Sequence, residues 1–530
     1  MYLRVKTFRN QDGSARQYLY LCESERAGGT VRQKVLANLG RIDDARSRAR
    51  FADLSRAFAR FAGIEAPRRQ AIESALRTKS ARSWGAALVF DRLFEDLGLR
   101  TEMDKIQRRK KLELPLADAV FAMALNRLTD PLAKLGVHDE WMAKVYWPAF
   151  DQVSLHHLYR ALDVLAEVKE PVEEALFARV QTLIGGDLSL VLWDTTSSYF
   201  EGAGARGIGA LGYSKDFRPD LPQIVIGILM TGDGVPVAHE IFPGNTVDTA
   251  TFRDLVEKTE RRFHLSRVIL VGDRGMVSED VLKEIRALKL EYIVGTRMRG
   301  HNDSLRALAQ GGRYQRLSAN LWVKETRVAK DRYLVCLNPI QETKDQETRR
   351  LIIKKLRQAL RAGGVKGLVG NRGYRRYLSV DGAAEVDAEK LRSERRFDGR
   401  WVLRTNSTLS AAEVARAYKS LWQVERVFRR LKSGLMLRPI RHWKESRVRG
   451  HVMVCFLAFV LETVLRRKIK DSLPETSFRQ VVGALCDLQA VEIELNGIRY
   501  LTRTDLSRTA QKVFQAVGRR PPDTVVEITG

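Results

Sequence analysis

Three acidic side chains stand where carboxylates could carry out phosphoryl chemistry. Asp194 closes the apolar run LSLVLWD, Asp273 closes the run VILVGD, and Glu425 lies in the long helical stretch AAEVARAYKSLWQVERVFRRLK. Two divalent ions about 4 Å apart need hard oxygen ligands from separate elements to activate a hydroxyl and steady the leaving oxygen of a phosphodiester. Asp194, Asp273 and Glu425 are therefore the candidate catalytic and metal-ligating residues, for two Mg²⁺ ions that Mn²⁺ could replace. Alone, an aspartate ending a strand is usually a turn former and a helical glutamate usually a solvated surface group. Their joint placement is what singles them out.

The glutamate stretch carries more than its carboxylate. At about 100° per residue from Tyr418, Glu425 falls at about 340°, Lys432 at about 320°, Arg429 at about 20° and Trp422 at about 40°. On one continuous helix this stripe would bind metal through Glu425 while Tyr418, Arg429 and Lys432 hold phosphates on either side of the target bond. Trp422 at such spacing is more often a core residue than a DNA contact.

Elements able to position these groups can be read along the chain. Residues 186–297 run strand LSLVLWD, strand PQIVIGILM, turn TGDG, strand VPVAHEIF, helix TFRDLVEKTERRF, strand VILVGD, helix SEDVLKEIRAL and strand YIVGT. That order is the ribonuclease H-like arrangement, with the first aspartate on the first strand and the second ending the fourth, and sheet topology favours ligands at such strand ends. Residues 298–406 are too long for a loop and read as a β-rich insertion subdomain. Residues 407–470 return to the core with the glutamate helix and the apolar helix VRGHVMVCFLAFVLETVLRRK. Ahead of the core, residues 1–45 read as a small β-hairpin region and 46–182 as a helical, DNA-binding domain carrying Arg68-Arg69 and Arg108 to Lys111. Residues 471–530 form a C-terminal segment ending in a flexible tail. The fold class is α/β: a ribonuclease H-like catalytic core interrupted by a β-rich insertion and preceded by a helical N-terminal domain.

Composition agrees. The chain has 530 residues, with 91 Lys and Arg against 64 Asp and Glu, a net charge of +27 and a pI near 10.1. Positive charge spread along the whole length suits a polyanion, and double-stranded DNA is the first partner to expect. The N-terminus has no apolar signal region, and the longest apolar run, Val452 to Leu461, falls short of the roughly 20 residues that span a bilayer, so a cytoplasmic protein without a membrane partner is expected. Cys22, Cys336, Cys455 and Cys486 are too scattered for a disulfide framework or a zinc site. His239, His442 and His451 read as structural, since magnesium prefers oxygen.

The sequence resembles bacterial insertion-sequence transposases of the DDE class, in the group whose glutamate helix carries Y-x2-R-x3-E-x6-K. The matching residues are Tyr418, Glu425 and Lys432, with DTT at Asp194 to Thr196, GDRG around Asp273 and Arg274, PGNTVD at Pro243 to Asp248, YIVGTR at Tyr292 to Arg297 and FDGRWVLRTN at Phe397 to Asn406. Leu421 replaces the signature arginine and cannot contact a phosphate, so Arg429 or Arg426 would have to compensate. The resemblance implies a metal-dependent enzyme that binds the inverted-repeat ends of its element, pairs them as a homodimer on DNA, cuts, and joins the freed 3′-hydroxyl to target DNA. It adds Arg274 to the DNA contacts, and it makes Trp322 and Trp401 candidates for stacking on a flipped base. Two other readings are a catalytically inactive DNA-binding protein at element ends and another ribonuclease H-like nuclease.

Overall fold

A computed structural model describes the chain apart from residues 11–14, 28–29, 43–44, 63–75, 185–189, 248–261, 263–268, 274–277, 363–370, 380–384, 496 and 528–530. The expected helix TFRDLVEKTERRF, save Arg262, and the pairs Arg68-Arg69 and Arg274-Gly275 thus lie outside the described residues. The chain divides into two compact units.

The first unit comprises Met1–Ser80, Val491–Thr502 and Val525–Gly530. Its N-terminal part is more than a hairpin. Strands Tyr2–Arg9, Ala15–Ala27 and Thr30–Arg41 form an antiparallel three-stranded sheet, followed by the helix Ala45–Phe61. The segment expected to be helical throughout also contains the strand Leu76–Ser83, which joins a sheet with Gln489–Leu495, Ile498–Arg503 and Val525–Glu527. Part of the expected flexible tail is therefore a strand, Val525 and Val526 pairing with Thr502 and Leu501.

The second unit holds the candidate site. Its sheet is built on five strands: β1 (Leu190–Tyr199), β2 (Gln223–Thr231), β3 (Pro236–Pro243), β4 (Ile269–Gly272) and β5 (Glu291–Thr296). β1, β2 and β3 pair antiparallel, while β4 lies parallel to β1 and β5 parallel to β4. This is the ribonuclease H-like order expected from the sequence. β2 is buried along its whole length, which is why its run is apolar without alternation.

The inserted segment does not stand apart. β6 (Gln315–Ser318), β7 (Leu321–Val328), β8 (Asp331–Leu337) and β9 (Arg400–Thr405) continue the same sheet, which among the described residues has nine strands in the order β6-β7-β8-β9-β5-β4-β1-β2-β3. The outer edge of β5 would otherwise leave a row of unpaired backbone groups, and β9 closes it antiparallel, Val402 opposite Thr296 and Leu403 opposite Gly295. Nor is the insertion only β-rich, since it contains a 23-residue helix, Pro339–Arg361.

The helices before β1 share the core of this sheet. α1 (Leu116–Thr129) and α2 (Leu155–Glu167) pack against α3 (Glu445–Ile469), and buried residues of all three join one hydrophobic cluster with β1 to β5. A methyl group on Gly450 would lie 2.1 Å from the Leu162 carbonyl oxygen, so glycine permits the close crossing of α3 and α2. By length and composition α3 could cross a membrane, but 89% of its apolar window is buried inside the protein, which marks it as a core helix.

Candidate active site

Parallel strand pairing leads toward the two aspartates. β1 and β4 pair in parallel as Leu190 with Ile269, Val191 with Leu270 and Leu192 with Val271. Continued by two residues, past the end of β4 at Gly272, the same step would set Asp194 opposite Asp273, at the roughly 4.8 Å spacing of neighbouring strands. Asp194 is half-buried and Asp273 exposed.

Both are held. The Thr195 amide donates to Asp194 Oδ1 at 2.7 Å, and the Tyr418 hydroxyl donates to Asp273 Oδ1 at 3.0 Å. On β1, Trp193 is fully buried over Gly227, where a methyl group would meet the indole ring at 2.1 Å. Glycine on β2 thus makes the slot that fixes Trp193, and with it the backbone just before Asp194. Lys215 donates to the Thr195 carbonyl and hydroxyl, both at 2.9 Å, tying the loop after β1 to the same position.

The glutamate stretch is not one even helix. α4 (Ala411–Lys419) starts in a capping box in which Ser410 and Glu413 satisfy each other's backbone N–H groups. It ends at Ser420, and α5 (Trp422–Arg429) begins two residues later. Between them the amides of Leu421, Gln423 and Val424 donate three residues back, to Tyr418, Ser420 and Leu421. That is an overwound turn, and a π-turn follows at Arg430–Gly434, where the Leu435 amide reaches back five residues to Arg430. Constant rotation per residue therefore fails on both sides of Glu425.

The consequence falls on Lys432. It is buried in the π-turn and donates to Asp216 Oδ1 at 2.6 Å, with Arg438 pairing the same carboxylate. Burial lowers its pKa, partly offset by Asp216. The expected phosphate contact is thus an internal ion pair. Glu425, Arg426 and Arg429 do remain exposed on α5, and Glu425 occupies its first turn, where the helix dipole favours a carboxylate. Trp422 is 52% exposed, against the expectation of a core residue.

The end of this segment is pinned from below. Arg127 on α1 donates to the carbonyls of Leu435 and Met436, both at 3.3 Å. Beside it, burial pushes the Lys134 ammonium down to about 7, and burial together with Lys134 and Arg127 pushes His442 down to about 3. His451 shares this pocket, its Nδ1 lying 3.2 Å from Lys134 Nζ. Farther off, His239 Nδ1 stands 2.8 Å from the buried Glu173 carboxylate.

Trp322 and Trp401 do not form a common stacking surface. Trp322 pairs with Leu337, whereas Trp401 pairs with Cys336, so the two indoles lie on opposite faces of the sheet. Both are half-buried, and their ring N–H groups are shielded from solvent. Arg274 lies outside the described residues.

The donor set consists of carboxylate oxygens, which suits a hard divalent cation. Among the described residues no group of three or more His, Cys, Asp or Glu side chains stands close enough to hold a metal ion. The β1–β4 pairing leads toward Asp194 and Asp273, and α5, which carries Glu425, packs against β1.

Two family sequence models match the chain: "Transposase DDE domain" over residues 222–461, which begins after Asp194, and "IS1634 family transposase, N-terminal domain" over residues 3–72. No curated protein matches it. Among solved structures, the cryo-EM structure of the piggyBac transposase synaptic complex with hairpin DNA is similar at 9% identity and a TM-score of 0.38, covering 76% of this chain and 79% of that one. The matched domains support a DDE transposase, a DNA-cutting and strand-transferring enzyme of a class that depends on divalent metal. Together the two matches support an insertion-sequence transposase, the second through an N-terminal domain similar to that of IS1634 family transposases.

Proposed function

We propose that Asp194, Asp273 and Glu425 are the catalytic carboxylates and together hold two Mg²⁺ ions, with Mn²⁺ able to replace them. When bound, such ions supply Lewis-acid activation of the attacking oxygen and stabilise the departing 3′-oxygen. The chain's part is positioning. The β1–β4 pairing runs toward Asp194 and Asp273, Tyr418 hydrogen-bonds Asp273, and α5, which carries Glu425, packs against β1. Arg426 and Arg429, exposed beside Glu425, are placed to hold the phosphates flanking the scissile bond, in place of the arginine that Leu421 lacks.

The substrate is double-stranded DNA: the inverted-repeat ends of the element, cut at its boundary, and then target DNA attacked by the freed 3′-hydroxyl. Two copies pair the two ends as a homodimer in the cytoplasm. The observation that supports this reading is the parallel β1–β4 pairing, whose register, continued two residues past Leu192 and Val271, would reach Asp194 and Asp273, with Tyr418 joining the second to the glutamate segment.

The test uses duplexes containing the DNA that flanks the coding region. Asp194→Asn, Asp273→Asn and Glu425→Gln should each bind them as the wild type does and lose Mg²⁺-dependent nicking. Any variant that still cuts at the wild-type rate removes that residue from the site.

A further inference from the structure

The insertion carries a groove of about 940 Å³ between α6 (Pro339–Arg361) and α7 (Ala388–Arg395). Its lining is strongly cationic, and part of that charge is answered within the groove. Arg349 pairs with Asp398, and Arg400 pairs with Glu342 at 3.0 Å. Arg350, Lys354, Arg357 and Arg361 on α6 and Arg395 on α7 are exposed, and among the described residues their side chains have no ion pair or hydrogen bond.

The four cations of α6 recur at steps of four, three and four residues. They form one stripe, about 16 Å long at 1.5 Å per residue. Like charges at this spacing destabilise a helix. The helix dipole rewards Arg361 in the last turn, but not Lys354 or Arg350, two and three turns earlier. The stripe is therefore a standing electrostatic strain that a long, regularly charged polyanion would relieve. Duplex DNA presents about ten phosphate charges over the same length, at roughly 1.7 Å each.

We propose that this groove is a second DNA-holding surface, apart from the three carboxylates, which grips the phosphodiester backbone of a duplex without reading its sequence. It rests on the transposase reading only for the identity of its occupant. The end duplex and the target duplex share this chemistry, so both are probed.

The intact protein is titrated by fluorescence anisotropy against a labelled duplex of arbitrary sequence and against one carrying the flanking DNA, between about 50 and 200 mM KCl. Each lost phosphate contact lowers the slope of log K against log salt by about 0.9, so replacing Arg350, Lys354, Arg357 and Arg361 with alanine should lower it by up to about 3.6 on both duplexes. The charge-keeping variant Arg350→Lys/Arg357→Lys/Arg361→Lys should retain the slope. All four side chains are exposed and repel one another, so the alanine variant should melt no lower than the wild type. An unchanged slope on both duplexes overturns the proposal. A fall on one duplex alone overturns the sequence-independent grip. An unchanged slope with weakened self-association by sedimentation assigns the groove to an acidic protein surface instead. Cleavage by the carboxylate variants is not measured by the slope, so the two readings fail separately.

Discussion

Tyr418→Phe deletes one hydroxyl and leaves a half-buried ring in place. The lost contact is the 3.0 Å hydrogen bond to Asp273 Oδ1. Hydrogen bonds to ionised groups are worth about 1.5–3 kcal/mol, and because Asp273 is exposed the lower end applies. About 1.4 kcal/mol is tenfold in an equilibrium constant, in line with the roughly 10- to 100-fold losses seen when a partner that orients a metal ligand is removed. In a cleavage assay on an end-containing duplex, the Mg²⁺ concentration giving half-maximal rate should rise about tenfold, with DNA affinity unchanged. The reasoning fails if the metal titration matches the wild type. Weaker DNA binding at unaltered metal dependence would return Tyr418 to a phosphate-gripping role.

Further expectations follow from the packing. Gly227→Ala drives a methyl group into the Trp193 ring and should destabilise the protein by about 1–3 kcal/mol, read as a lower urea midpoint, whereas an unaffected midpoint would mean that the slot is not tight. Asp216→Ala leaves Lys432 and Arg438 without their carboxylate and should cost about 3–5 kcal/mol by the same measurement; Asp216→Ala/Lys432→Met should recover part of it, and no recovery would deny the pair. Burial alone would push the Glu173 carboxyl up, but Lys169, His239 and Arg262 together hold it down to about 2 from its usual 4.5. Its contribution is present above pH 4.5 and is lost as pH falls toward 2, so acid unfolding of Glu173→Gln should show a shallower pH dependence across that window. An identical acid profile would exclude the network.

The sheet was legible because its strands are marked by composition. LSLVLWD and VILVGD are apolar runs that end in aspartate, and an interior strand buried on both faces leaves just such a run. What the sequence could not show was which strand meets which. Val402 pairs with Thr296 across more than a hundred residues, so a segment read as a separate insertion proves to extend the core sheet. The glutamate stretch was legible as helical, but not its winding. The overwound turn after Tyr418 and the π-turn after Arg429 turn Lys432 inward, and Arg438 and Asp216, which hold it there, come from distant sequence. Asp216 and Lys215 were missed altogether. The only signal was two adjacent opposite charges in a Gly- and aromatic-containing loop, which is common on any surface.

The central claim is that three distant carboxylates close around a shared pair of divalent ions. It is tested most directly by a structure of the protein on an end-containing duplex with Mn²⁺, located by anomalous scattering. Two metal peaks about 4 Å apart are expected, bound by oxygens of Asp194, Asp273 and Glu425. Manganese bound elsewhere, or with Glu425 still pointing into solvent, would contradict it.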